Sequence, residues 1–504
     1  MFKENSIREG SRMAVEMQTK QEKFWSGLRK KNALKLFHEV ARHVPAYKDF
    51  LKKHRVNPTK IKKFSDFEFV PQTSKNDYLK HYPLEKLAWD GSLEKPLVFT
   101  STSGSTGAPF YFPRGEELDW EYSILAERFL LNSSHGARTS TLVIVGFGMG
   151  VWIGGLITYK AFEMASQRGY PVSIITPGIN KVEIFHAFRE LSPHYDQTIF
   201  IGYPPFMKDV LDEAVSREHI NLKNLNVRLL SAAEAYTEKF RDYIVKKAGV
   251  HNPYLDTLNI YGTADIGAMA WETPTSILIR RLAMRNKNNF HRIFAQIYKT
   301  PTLAQYNPSF ITFEAPGGEI LVTGNNTIPL IRYAVGDRGG VADFGELERK
   351  IKGCGINLSR EARGAGIQAL YKLPFVYVYE RADFAVKLHL RDIYPESIKD
   401  VLINKPFNKA LTGKFVIGTK YNAKQDQYLE INFELRKDKK ITKRLKEKLQ
   451  KKILNALYLK SAGPGNPAEF IKRPNLVKAI FWNAEHPLHF RPGIKQKWVK
   501  KLQT

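Results

Sequence analysis

Between residues 116 and 234 short apolar runs alternate with longer amphipathic stretches, and this alternation does most to limit the folds open to the chain. Apolar spacing predicts helices over 116–131, 157–168, 184–191 and 206–217. Apolar runs predict strands over 142–145, 171–175 and 198–202, and a strand with its following loop over 227–234. Strands separated by helices of this length pair in parallel, and ligands of such sheets bind at the carboxyl ends of the strands. Upstream, residues 20–90 read as mostly helical. Leu34, Phe37, Val40, Ala41 and Val44 recur at helical spacing until Pro45 interrupts them, and 67–79 reads as a turn and a capped helix. Downstream, strands over 415–418, 428–435 and 477–481 and a helix over 441–459 describe a smaller α+β part. The uncharged stretch 142–159 has about the length of a membrane span. Its glycines, Gly146, Gly148, Gly150, Gly154 and Gly155, divide it into a strand, a turn and a helix start, so a buried core segment is expected.

A chain of 504 residues exceeds one compact core, and 43% hydrophobic with 12% aromatic residues is a globular composition. Cys354 is the only cysteine, which excludes an intramolecular disulfide and cysteine-based zinc or iron–sulfur sites and fits a reducing cytoplasm. The first 31 residues mix charges without an apolar core, so no secretory leader is expected. Half of the +28 net charge lies in residues 437–504, which hold 18 Lys or Arg and 4 Asp or Glu. Such a surface suits nucleic acid, anionic lipid or an acidic protein, and equally a solvated basic face. The solvated face is the simpler reading, and nucleic acid is not the expected partner.

Chemistry concentrates first in the segment from Phe99 to Phe110. Apolar residues flank it on both sides, predicting strand, tight loop, strand. Its six hydroxyl side chains and two glycines can direct donors at one point and cradle an anion. It lacks the Gly-Lys-[Ser/Thr] that would open a helix in a Walker A loop.

Ser103-Gly104-Ser105-Thr106-Gly107-Ala108-Pro109 resembles the phosphate loop of the adenylate-forming (acyl-AMP) ligase superfamily. Phe110 stands where the pattern often has lysine, as it does in the branch of phenylacetate–CoA ligases and capsule-biosynthesis ligase-like proteins that this chain most resembles. The run Val70-Pro71-Gln72-Thr73-Ser74-Lys75-Asn76-Asp77 is similar to an element of that branch. Ala232-Ala233-Glu234 resembles the Gly-[Gly/Ala]-Glu turn that lies along adenine. Tyr261-Gly262-Thr263-Ala264-Asp265 resembles Tyr-Gly-x-[Ser/Thr]-Glu. The resemblance implies that Tyr261 stacks on adenine, that Thr263 or Ala264 meets the α-phosphate, and that Asp265, shorter than the usual glutamate, holds Mg²⁺. One carboxylate with nucleotide phosphates suits that hard cation. The run from Pro329 to Arg338 resembles a ribose motif in which Asp337 takes the hydroxyls, and Glu380-Arg381-Ala382-Asp383 resembles Gly-Arg-x-Asp with Glu380 in the glycine place. Arg381 then contacts ribose or phosphate, and Asp383 is the hinge. In the closing segment Lys495 is the candidate for the lysine that offsets charge as acyl-AMP forms. Lys497 is its near alternative, because Ile494 shifts the spacing.

The motifs span about residues 35–500. The expected fold is α/β: a large N-terminal adenylation domain with parallel-rich sheets and helices, plus a small mobile α+β C-terminal domain. The expected division is 1–90, a mainly helical part of the large domain; 91–382, the adenylation core; and 383–504, a small lid. The implied function is ATP-dependent activation of a carboxylic acid, then acyl transfer to coenzyme A. Phe147, Trp152, Tyr203, Pro204 and Phe206 are candidates for the acid pocket and suggest an aryl or fatty acid. Leu390 stands where the family has a glycine beside the pantetheine arm, which leaves a protein, carrier or sugar amine open as acceptor. A homodimer is possible. A degenerate scaffold that binds nucleic acid through its basic C-terminal face is the remaining alternative.

Overall fold

The computed structural model describes residues 2–95, 97–101, 110–294, 300–379, 386–388, 391–422, 427–460, 476–490, 496 and 498–499. Its strands, in chain order, begin with β1 (Val98–Ser101), β2 (Tyr111–Arg114), β3 (Thr141–Val145), β4 (Val172–Ile175), β5 (Gln197–Gly202) and β6 (Val227–Ala232). Next come β7 (Thr257–Thr263), β8 (Gly267–Trp271), β9 (Thr302–Gln305), β10 (Ile311–Glu314), β11 (Glu319–Gly324), β12 (Leu330–Ala342) and β13 (Phe375–Tyr379). The last are β14 (Val386–Leu388), β15 (Arg391–Ile393), β16 (Leu411–Tyr421), β17 (Gln427–Leu435) and β18 (Val477–Trp482).

One 11-stranded sheet, ordered β10-β11-β12-β13-β9-β8-β7-β6-β5-β3-β4, runs through the larger part of the chain. The expected alternation produces its parallel half, in which β4, β3, β5, β6 and β7 pair in parallel with helices between them. From β7 to β8 the chain turns back, and the rest of the sheet is antiparallel. β3 and β5 are buried along their whole lengths, as strands covered on both faces must be. Residues 142–159 form β3, a glycine turn and the start of the Ile153–Ser166 helix. No helix among the described residues is long and apolar enough to cross a membrane.

The helical N-terminal region shares a core with the antiparallel half of the sheet. Phe37, Val40, Tyr47 and Phe50 pack with Phe313, Val322 and Tyr333. Pro45 ends one helix at His43 and occupies the first turn of the next, Pro45–Lys53, where its missing N–H costs nothing. β16, β17 and β18 form a separate sheet, covered by the Pro395–Leu402 and Lys443–Lys460 helices around a core of its own. In the second helix Leu449, Ile453 and Leu457 are buried at four-residue spacing, and Lys443, Lys448, Lys451 and Lys452 are exposed. We refer to these two bodies as the large and the small unit.

Candidate active site

The site lies where parallel pairing gives way to antiparallel pairing, at the C-terminal end of β7. Tyr261, Gly262 and Thr263 close this strand, and β8 returns beside it. The return is so tight that a Cβ on Gly262 would lie 2.4 Å from the Gly267 carbonyl oxygen, so glycine is required there. Thr263 Oγ1 accepts from the Ile266 N–H at 3.3 Å and holds the turn that carries Asp265.

β12 crosses in front of this turn. The Tyr261 hydroxyl donates to Asp337 Oδ2 at 2.7 Å, which joins residues from two motifs far apart in sequence. Gly336, before that aspartate, has φ +81°, a left-handed conformation that favours glycine. Four residues upstream of Asp337 in the same strand, the Tyr333 hydroxyl donates to Asp265 Oδ2 at 2.5 Å. The other Asp265 oxygen lies 3.9 Å from Lys75 Nζ.

Lys75 reaches this position because its segment is fastened to β12. The Thr73 N–H donates to the Arg332 carbonyl at 3.1 Å, the Ala334 N–H to the Thr73 carbonyl at 2.8 Å, and Thr73 Oγ1 to the Ile331 carbonyl at 2.9 Å. Ser74 and Asp77 then cap each other's backbone N–H groups, so the short helix that starts at Lys75 has a fixed direction. The 67–79 turn and capped helix expected from sequence are present; the functional placement of Lys75 and Tyr333 becomes visible only in three dimensions. The signal available in sequence was that both fall inside family-like runs.

Arg114 had no such signal. It ends β2, one strand of the hairpin that flanks residues 102–109, and β1 and β2 pair as the strand–loop–strand reading requires. Its guanidinium donates to the carbonyls of Ala264 and Asp265 and to Thr100 Oγ1. The hairpin and the Asp265 turn are thus one connected structure. Burial pushes the Arg114 pKa down to about 10, with Asp265 and Asp119 opposing that shift.

The Ala232-Ala233-Glu234 turn follows β6. Ala233 adopts φ +74°, and the Glu234 carbonyl accepts from Asn259 Nδ2 at 3.2 Å, two residues before Tyr261. The Glu234 carboxylate points away toward the small unit and pairs with Lys399, whose ammonium lies 3.9 Å from the centre of the Trp498 ring. A narrow cleft opens between the units here, lined in part by Pro204, Glu234, Tyr236, Lys399 and Trp498.

The five acid-pocket candidates do not share one face of the sheet, although the Tyr203 ring stacks on Phe206 with centroids 5.7 Å apart. Phe147 belongs to the core on one side of the sheet and Phe206 to the core on the other, with Tyr203 touching both. Trp152 is 42% exposed, and Pro204 lines the inter-unit cleft. Ser103, Gly104, Ser105, Thr106, Gly107, Glu380, Arg381, Asp383, Leu390, Lys495 and Lys497 lie outside the described residues. Among the described residues no group of three or more His, Cys, Asp or Glu side chains can hold a metal. Asp265 alone suits an ion that brings most of its oxygen ligands with it.

No protein-family model matches the chain. Over 245 residues it is 25% identical to a phenylacetate-coenzyme A ligase of Thermus thermophilus, a match covering 47% of this chain and 50% of that protein. The chain thus spans about half the length of the curated relative it matches. Among solved structures, a 2-hydroxyisobutyryl-CoA ligase in the postadenylation state with R3-HIB-AMP superposes with a TM-score of 0.66 at 14% identity, covering 97% of this chain and 92% of that one. The same ligase in the thioesterification state gives 0.53 over the same shares, at 14% identity. An acyl acid amido synthetase in complex with 2,4-DB gives 0.56 at 12% identity, covering 99% of this chain and 94% of that one.

Proposed function

We propose, for a chain that carries the fold of the adenylate-forming ligases, that it activates a carboxylic acid with ATP as acyl-AMP and then transfers the acyl group. The observation that carries this reading is the Tyr261–Asp337 hydrogen bond, since it brings an aromatic ring for the purine and a carboxylate for the ribose to one place. A carboxylate oxygen of the acid attacks the α-phosphorus of ATP. The bond to the bridging oxygen breaks, and pyrophosphate leaves with that electron pair. Positive charge near the phosphates lowers this barrier. Lys75 supplies it from the large unit, beside Asp265, and Lys495, or Lys497 in its place, supplies it from the C-terminal segment. Mg²⁺ enters as part of the MgATP substrate and offsets phosphate charge there, with Asp265 as its protein contact. The loop from Ser103 to Gly107 holds the departing phosphates, Thr263 lies toward the α-phosphate, Ala233 and Glu234 border the adenine, and Arg381 contacts ribose or phosphate. Asp383 is the hinge of the small unit. Phe147, Trp152, Tyr203 and Pro204 are the side chains to vary first for acid specificity.

Coenzyme A is the acceptor that the phenylacetate-coenzyme A ligase likeness supports. Leu390 in place of a glycine favours the second reading, a protein, carrier or amine acceptor. The first step is tested by acid-dependent exchange of labelled pyrophosphate into ATP across aryl, fatty and amino acids. Exchange with at least one acid, abolished by Asp337→Ala, is expected. Folded protein with MgATP and no exchange with any acid would overturn the reading. Preformed acyl-AMP offered to coenzyme A, amines and carrier thiols then identifies the acceptor.

A further inference from the structure

Several charged side chains meet across the surface joining the two units. The Pro204–Ser216 helix of the large unit presents Lys208, Asp209 and Asp212, all buried. Opposite them β16 and the end of β17 present Lys414, Glu434 and Arg436. Lys414 Nζ lies 2.6 Å from Asp209, and Arg436 donates to Asp212 at 2.5 Å. Lys208 donates across the boundary to the Thr412 carbonyl at 2.5 Å. Farther out, Thr237 Oγ1 donates to Asp400 at 2.9 Å and Arg217 pairs with Asp438 at 3.1 Å. From the small unit Ile403 adds an apolar contact with the large unit's core.

An interface meant to be permanent gains most from apolar burial, because taking charges out of water costs nearly what their attraction returns. In this one, Asp212 and Lys414 keep a partner inside their own unit when the units part, whereas Asp209 and Arg436 give up their ion pairs. Asp212 retains Lys208 at 2.9 Å, the Tyr243 hydroxyl at 2.6 Å and Lys247 at 3.2 Å, all from the large unit. Lys414 retains Glu434 at 3.4 Å. Separation therefore leaves two of the four charges paired and two in need of water. The overall shape also resembles the postadenylation form of the 2-hydroxyisobutyryl-CoA ligase (TM-score 0.66) more than its thioesterification form (0.53).

We propose that the pairs Asp209–Lys414 and Asp212–Arg436 are a reversible electrostatic latch that holds the small unit in the arrangement used for acyl-AMP formation and releases it for acyl transfer. This deepens the adenylating reading and rests on it for the roles of the two arrangements. Because opening removes the ion partners of Asp209 and Arg436, the equilibrium responds to salt and to single charges. Lys399, held on Glu234 by the same arrangement, couples the latch to the turn assigned to adenine.

The test measures the distance between spin labels on the full chain at Glu190→Cys and Lys448→Cys, with Cys354→Ser, at low and high salt. Both labelled positions are exposed. One dominant distance is expected at about 0.05 M salt, with a second population growing at about 0.5 M as the charges are screened. Lys414→Met should raise the ratio of the second population to the first by at least about tenfold. The charge-exchanged pair Asp209→Lys with Lys414→Asp should restore the first distance, which separates a lost latch from a damaged fold. Identical distributions in the parent and Lys414→Met at both salts would overturn the proposal. Pyrophosphate exchange is read alongside. No exchange in the parent would sink the functional reading and leave the distance result to decide whether the units are latched.

Discussion

Two buried clusters of ion pairs stand close together in this molecule and behave as opposites. Inside the large unit, Arg241 pairs with Glu272 at 2.7 Å and Glu238 at 2.9 Å and donates to Thr257 Oγ1 at 2.6 Å. Arg280 pairs with Glu272 at 2.9 Å and donates to the Tyr236 carbonyl. The second Glu272 oxygen accepts from the Asn259 N–H at 3.0 Å. The arginine side chains are at most 1% exposed, and the cluster fastens the segment after Glu234 to β7. At the unit boundary, by contrast, Lys414 and Arg436 keep 16% and 17% exposure. Full burial in a network of several arginines and carboxylates makes a scaffold, whereas partly exposed pairs across a boundary make a joint.

The sharpest way to break that comparison is Arg241→Met. It leaves Glu238 and Glu272 short of a partner in a dry site, and a loss of about 3–5 kcal/mol of unfolding free energy is expected in urea melts. A loss near zero would mean that the cluster is no scaffold.

The joint makes a pH prediction of middle size. Burial alone would raise the carboxyls of Asp209 and Asp212. Lys414 beside the first, and Lys208 with Arg436 beside the second, more than reverse this, and both lie below the ordinary range. Burial alone would lower Lys414 and Arg436, yet Asp209 raises the first and Asp212 the second above their ordinary values. A depressed carboxyl contributes stability above its unfolded value of about 4 and loses it as pH falls through the folded value. A raised cation contributes below its ordinary value, about 10.5 for lysine, and loses it as pH rises through the folded value. The label distance should therefore stay constant from about pH 5 to about pH 9. A transition inside that window would point to a different titrating group and against these pairs.

The smallest effect sharpens the scaffold side. Ala233 adopts a left-handed backbone conformation that costs an alanine about 1–2 kcal/mol, and glycine offsets part of this by its larger unfolded entropy. Ala233→Gly should change stability by less than about 1 kcal/mol, most directly toward a higher melting temperature. A larger loss would show that the Ala233 methyl is packed rather than tolerated.

Much of the architecture was legible because its signals are local. The 3.6-residue period places the 116–131 helix and apolar runs place β3 and β5 within a residue or two, and Pro45 marks a helix boundary by its ring alone. For Phe147, Trp152, Tyr203, Pro204 and Phe206, periodicity leaves open which face of the sheet each side chain takes. An aromatic or proline near a strand end can face either side of a sheet, and here the sheet itself separates Phe147 from Phe206.

By itself, the sequence determined the strand–helix alternation, the order of the motif residues Tyr261, Asp265 and Asp337, and the caps that aim the Lys75 helix, because each depends on neighbours along the chain. The tertiary structure alone decided that Tyr261 meets Asp337, that Lys75 and Tyr333 share Asp265, that Arg114 pins the turn between them, and that Lys399 crosses to Glu234. A lysine or a tyrosine carries the same chemistry wherever it stands. Its partner is chosen only when strand order and helix docking bring two distant segments within hydrogen-bond reach.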